Sequence, residues 1–229
     1  NNKLKVKNIK TSIFLKSLIS NEFSIDDLQI STKSNKLKDI ISLAKSFKNS
    51  AELLIFDKII EDGFLTADIN LKFDDEGKIK EDYKVNGFIK NTDFNFSDQH
   101  NIDNLNFEFN VIKKKYLFTN IKVDFNDIKL SSPLVEANKK EELFLIKGKI
   151  LTKEKDFNTK QLSTLIGSLI KNIDIKKARF SSINNFSFNI DKKLKFNNLN
   201  VESKVNLDQL VINNNLTNLK SYLPNLNEE

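Results

Sequence analysis

A chain of 229 residues with 39% hydrophobic content is long enough to build one large core or two small ones. Its net charge of +6 comes from 37 basic and 31 acidic side chains scattered through one another, the pattern of a solvated surface, and Arg179 is its one arginine, so the bidentate donors of nucleic-acid readers are missing and nucleic acid is not an expected partner. No cysteine is present and His100 is the one histidine, which removes disulfides, thiol nucleophiles and the usual zinc sites.

In chain order, Ser12 is expected to cap a short helix carrying Phe14, Leu15, Leu18 and Ile19. A second helical stripe follows at Leu37, Ile40, Ile41, Ala44 and Phe47, with Lys36, Lys38, Lys45 and Lys48 on the opposite side, and another helix is expected to run through Glu61. Strict alternation then marks strands. Ala67, Ile69, Leu71 and Phe73 fall on one face, as do Tyr83, Val85, Gly87 and Ile89, then Leu105, Phe107, Phe109 and Val111, then Ile121, Val123 and Phe125. Asp74-Asp75-Glu76-Gly77 has the chemistry of a hairpin turn, and Lys113-Lys114-Lys115 reads as another turn between strands. His100, within Ser97-Asp98-Gln99-His100-Asn101, reads as loop. A helix carrying Leu162, Leu165, Ile166, Leu169 and Ile170 opens on Asn158 with Gln161 three residues on, a capping box. Phe186, Phe188 and Ile190 form a later strand.

A weak repeat runs through these strands: apolar, any, Asn or Asp, apolar, any, apolar. It occurs at Ile25 to Ile30, Ile102 to Phe107, Phe118 to Val123, Phe125 to Leu130, Ile170 to Ile175, Ile183 to Phe188 and Phe196 to Val201, with a near-match at Val6 to Thr11. Apolar positions at i, i+3 and i+5 change phase within a period-two strand. One extra residue is thus absorbed, and an Asn or Asp tolerates the dihedrals a bulge requires. Repeated bulges bend and coil a sheet.

Catalytic chemistry finds no footing. Neither a Gly-x-Ser-x-Gly elbow nor a glycine-rich phosphate loop occurs. The paired carboxylates Asp26-Asp27, Asp74-Asp75 and Glu141-Glu142 are neighbours in sequence, so in a strand they point to opposite faces and do not converge. No enzyme activity, cofactor or metal is expected. No apolar run approaches the roughly 18 residues of a membrane-spanning helix.

These elements predict a mainly β protein: a long, curved antiparallel meander, groove-like or taco-shaped, with a few short amphipathic helices, the alternative being a β-sandwich. Three regions are expected within one continuous sheet, a strand-helix-strand-helix unit over 1–62, a meander over 63–156, and a helix with further strands over 157–229. Helices so short leave much of an apolar face uncovered, and a curved sheet then offers an apolar trough that acyl chains can fill. The residues expected to line it are Ala67, Ile69, Leu71, Phe73, Val85, Ile89, Phe94, Phe96, Leu105, Phe107, Phe109, Ile121, Val123, Phe186, Phe188 and Ile190.

The stretch from Asn1 to Thr32, with Glu22-Phe23-Ser24-Ile25-Asp26-Asp27-Leu28-Gln29-Ile30, resembles the opening of AsmA-like proteins. The run from Tyr83-Lys84-Val85-Asn86-Gly87-Phe88-Ile89 through Asn104-Leu105-Asn106-Phe107 and Phe118-Thr119-Asn120-Ile121 to Ile146-Lys147-Gly148-Lys149-Ile150 is similar to the central repeats of that family's YhdP and TamB branch. The resemblance implies a bacterial cell-envelope protein of the periplasm, anchored in the inner membrane, whose β groove carries phospholipid or another acyl-chain lipid toward the outer membrane. Other envelope proteins are further expected partners. Because the sequence opens at Asn1 and is short for that family, it reads as a segment of a longer protein whose anchor lies outside it.

Overall fold

The structure, a computed structural model, describes residues 3–13, 25–47, 51–74, 76–97, 100–141, 143–166, 175–191 and 195–212. The strands in chain order are β1 (Val6–Ile13), β2 (Ile25–Thr32), β3 (Asn35–Lys36), β4 (Ile60–Lys72), β5 (Lys84–Ser97), β6 (His100–Ile112), β7 (Lys115–Phe125), β8 (Ile128–Lys140), β9 (Leu143–Asn158), β10 (Ile175–Asp191) and β11 (Phe196–Ile212). Helices α1 (Leu37–Phe47) and α2 (Ala51–Ile59) lie between β3 and β4, and α3 (Thr159–Ile166) between β9 and β10. All strands join a single antiparallel sheet in the order β1-β2-β4-β5-β6-β7-β8-β9-β10-β11, with the short β3 paired to β4. The protein is thus mainly β, an open curved meander, and among the described residues it carries three short helices and no second sheet packs against it.

Period-two alternation decides what each strand offers its neighbours, because directly opposed residues in an antiparallel pair project to the same side. Turn chemistry sets the register. Asn126 and Asp127, both at positive φ, form the two-residue loop between β7 and β8, and Lys113 at φ 56° opens the one between β6 and β7. After β4, Asp74 Oδ1 accepts the N–H groups of Glu76 and Lys78, and Gly77 sits at φ 77°.

At three copies of the repeat the phase change is a bulge. Asn104 in β6, Asn120 in β7 and Asn198 in β11 have φ near 54°, and the pairing register shifts at each. Gly63 (φ 135°) in β4 and Asn91 (φ 49°) in β5 continue the line, so four adjacent strands kink in succession. Side chains tie the kinks together: Asn104 N–H donates to Asp93 Oδ1 at 2.8 Å, Asn104 Nδ2 to Asp124 Oδ2 at 3.1 Å, and Asn91 N–H to Asn106 Oδ1 at 3.1 Å. The repeat does not always bulge. Asn185 keeps ordinary pairing with Glu202 and Lys149, Asp127 lies in a turn, and the copy at Ile170 to Ile175 falls largely outside the described residues.

The capping box on α3 forms as the sequence requires: Asn158 Oδ1 accepts the Gln161 N–H at 2.9 Å, and Gln161 Oε1 accepts the Asn158 N–H at 3.3 Å. Elsewhere the local reading is corrected. Ser12 lies in β1, opposite Asp27 of β2, so cross-strand pairing takes the place of a helix cap, and Phe14 to Ile19 lie outside the described residues. The helix expected through Glu61 ends at Ile59, because Ile60 pairs with Phe94 and Gly63 supplies a strand bulge two residues beyond Glu61. His100 is the first residue of β6, opposite Ser97, rather than loop. The boundaries at 62 and 156 fall inside β4 and β9, so the sheet runs through them. Leu169 and Ile170 lie outside the described residues.

Two predictions follow from this packing. Asn104→Val forces a β-branched residue into left-handed backbone and is expected to lower stability by about 1–2 kcal/mol more than Asn104→Gly, read from urea midpoints. Phe157→Ala, which empties the centre of the cluster beneath α3, is expected to lower stability by about 3–5 kcal/mol in the same assay.

Candidate functional site

Following the register from strand to strand assembles one apolar face. One row runs Ala67, Gly87, Phe109, Phe118, Val135, Gly148, Phe186 and Val201. A parallel row runs Ile9, Ile30, Ile69, Val85, Val111, Tyr116, Ala137, Ile146 and Phe188. Leu65, Ile89 and Phe107 start a third, and Ile121, Val123 and Leu130 carry the same side beyond the kinks.

Rings bridge the strands. Phe107 and Phe118 meet edge-on at 5.6 Å, Tyr116 reaches over β8 to Phe144 at 5.8 Å, and Phe188 contacts Phe196 of β11 at 5.4 Å. Two glycines make room for this. A Cβ on Gly87 would stand 2.1 Å from the Thr66 carbonyl oxygen and 3.0 Å from the Phe109 ring, and one on Gly148 would stand 2.7 Å from Phe186. The rings lie where those side chains would be, so the face stays closed without widening the strand spacing.

Cover is partial. Leu37 and Ile41 of α1 bury Ile60 against Leu65, Ile89 and Phe94, while Leu162 of α3 seals Ile128, Phe157, Ile175, Ala178 and Phe180. Both clusters sit at the same end of the strands, the end where β4 and β10 begin. The apolar residues of β6 and β7, including Phe107, Phe109, Phe118, Ile121 and Val123, lie outside both clusters and are only half-buried. Lysines flank the face at each end, Lys139 Nζ 5.9 Å from the Phe144 ring and Lys155 Nζ 4.9 Å from that of Phe157.

The opposite face is mixed: ion pairs lace it, and Phe88, Leu134, Leu145 and Ile183 stand exposed among them. Glu136 holds both Lys115 at 3.8 Å and Lys147 at 3.2 Å, and Arg179 stands among Glu154, Asp156 and Asp208. A depression of about 820 Å³ opens near the line of kinks, with Phe88, Lys90, Asn106, Lys122, Pro133 and Leu151 in its wall. Asp103 faces this side opposite Asp124. Desolvation, reinforced by Asp93, Asp127, Asp124 and Glu61, holds its carboxyl above the usual carboxylate range. Among the described residues no group of three or more His, Cys, Asp or Glu side chains is placed to hold a metal ion.

Of the sixteen residues expected to line a trough, all but Phe96, whose side chain lies outside the described set, fall on the apolar face. Ala67 is buried and the others are half-buried. Phe94 and Ile89 are engaged with the α1 cluster, which leaves less of them available to a ligand. The sequence reading missed Tyr116, Phe118, Val135 and Ile146. Phe118 escapes because three positions separate it from Ile121, and only the bulge at Asn120 brings the two onto one side.

No protein-family model, curated protein or solved structure matches this chain.

Asp103 gives a pH prediction. A carboxyl whose folded pKa is raised binds its proton more tightly folded than unfolded, so the ionised form detracts from stability near neutrality and the loss vanishes below the ordinary value of 3.8. Asp103→Asn is therefore expected to raise the urea midpoint near neutral pH, with the gain shrinking as pH falls through the carboxylate range. A gain of equal size at both ends of that range would assign the effect to something other than this ionisation.

Proposed function

We propose that this chain is a non-enzymatic lipid-binding segment of an AsmA-like envelope protein, located in the periplasm and tied to the inner membrane through another part of that protein. Its apolar face holds the acyl chains of phospholipid, or of another acyl-chain lipid, and helps move them between inner and outer membranes. The observation that carries this reading is the stretch of apolar face over β6 and β7 that lies outside both helix-sealed clusters among the described residues. A packed core would bury Phe107, Phe109, Phe118 and Ile121, whereas these side chains are held beside one another in a continuous strip that water wets poorly.

On this reading the mechanism is passive. Acyl chains lie along half-buried rings and aliphatic side chains, which exchange one apolar contact for another as the lipid slides. Headgroups stay in water at the rim, where the ammonium of Lys139 can meet phosphate. No residue transfers a proton or forms a bond, no cofactor takes part, and the direction of movement comes from gradients or from other envelope proteins.

Native mass spectrometry with lipid extraction, on the chain purified from a bacterial envelope, tests the proposal. Co-purified phospholipid is expected, and Phe107→Asp or Phe188→Asp is expected to displace most of it while β-sheet circular dichroism is kept. A folded protein that carries no lipid, or one whose lipid survives both changes, would sink the idea.

A further inference from the structure

β11 ends the sheet, and among the described residues no strand pairs with its outer edge. It is 17 residues long, and its apolar residues are bare: Leu199 is 70% exposed, Val201 55%, Val205 54% and Leu207 54%. Proteins ordinarily guard such an edge with lysine, proline or brevity. The other edge is guarded in this way, since β1 has eight residues and Lys3, Lys5, Lys7 and Lys10 crowd it.

The unguarded strand reads almost alike in both directions: Leu199-Asn200-Val201-Glu202-Ser203-Lys204-Val205-Asn206-Leu207. Its pairing with β10 is regular from Asn200 to Leu207, so alternation holds across the segment. Val201, Val205 and Leu207 lie opposite Phe186, Ser182 and Phe180 on the apolar face, and Glu202 and Lys204 lie on the other. If two such strands run antiparallel about Ser203, leucine meets leucine, valine meets valine, asparagine meets asparagine, and Glu202 meets Lys204 twice. A slip that keeps the faces aligned brings either two Glu202 or two Lys204 side chains together, so neighbouring registers are disfavoured by charge.

We propose that β11 pairs with β11 of a second copy of this chain, about a two-fold axis through Ser203. A two-fold axis perpendicular to the sheet leaves both apolar faces on the same side, so the two sheets become one. The edge hydrogen bonds of both copies are satisfied at once.

The sequence contains no cysteine, so Ser203→Cys places one thiol on the axis, where directly opposed strand residues stand about 4.5–5.5 Å apart at Cα and can form a disulfide. Under mild oxidation this variant is expected to link into a dimer, whereas Asn200→Cys, which faces Asn206, is expected to stay unlinked. In sedimentation the unmodified chain should form a species of twice 26.4 kDa. Glu202→Lys or Lys204→Glu alone should weaken it about tenfold, and the two changes together should restore it. A chain that stays monomeric, a dimer indifferent to these charge changes, a larger open-ended assembly, or equal cross-linking by Asn200→Cys and Ser203→Cys would each overturn the proposal.

Discussion

Among the described residues most of the apolar face has no second layer above it, so each strand is covered by the side chains of the next. This constraint governs the residue choices seen across the sheet. Large rings sit beside glycine or alanine in the neighbouring strand, as Phe109 beside Gly87 and Phe186 beside Gly148, and the ring fills the place a side chain would have taken. Full burial is reached where a helix closes down on the strands, as where Leu162 of α3 covers Ile128 and Phe157. Between the two helical clusters the same kinds of residues remain half-buried.

The kinks are the second consequence of long strands in an open sheet. Eight of the strands run from 11 to 17 residues, beyond the usual 3–10, and untwisted ladders of that length are strained. One extra residue per strand, accepted at positive φ by Asn91, Asn104 and Asn120, relaxes the ladder and lets adjacent strands turn together. Gly63 performs the same task in β4. A side chain there would collide with Thr92 Oγ1 at 2.4 Å and Leu37 Cδ1 at 2.8 Å, so the kink is also where α1 approaches the sheet.

Alternation made the class of fold and the membership of the apolar face legible in the sequence, because period two is enforced wherever one side is apolar and the other wet. The Asn-centred repeat carried the bulges at Asn104, Asn120 and Asn198. It passed over Asn91, where Thr92 occupies the position otherwise held by an apolar residue and is nevertheless fully buried. Long-range polar ties left no local trace. Buried Asn35 accepts the Lys5 N–H at 2.6 Å and donates to the Lys5 carbonyl at 3.1 Å, joining the start of β1 to β3, and Thr32 Oγ1 accepts the Ala67 N–H at 2.8 Å. The placing of α1, α2 and α3 at one end was equally hidden. It depends on which strand ends they join, which periodicity within a segment does not encode.

The main path of the sheet has ten strands, an even number, so β1 begins and β11 finishes at the same end of the molecule, on opposite margins. Ladder hydrogen bonds lie across the strands. Tension applied between those two points pulls along the bonds of the outermost pairs, opening them one after another from that end, rather than shearing a whole ladder at once. The protein is therefore built to peel at low force from its margins inward. The helix-sealed clusters over β4 and β5 and over β9 and β10 then stand as the successive points where the peeling is arrested.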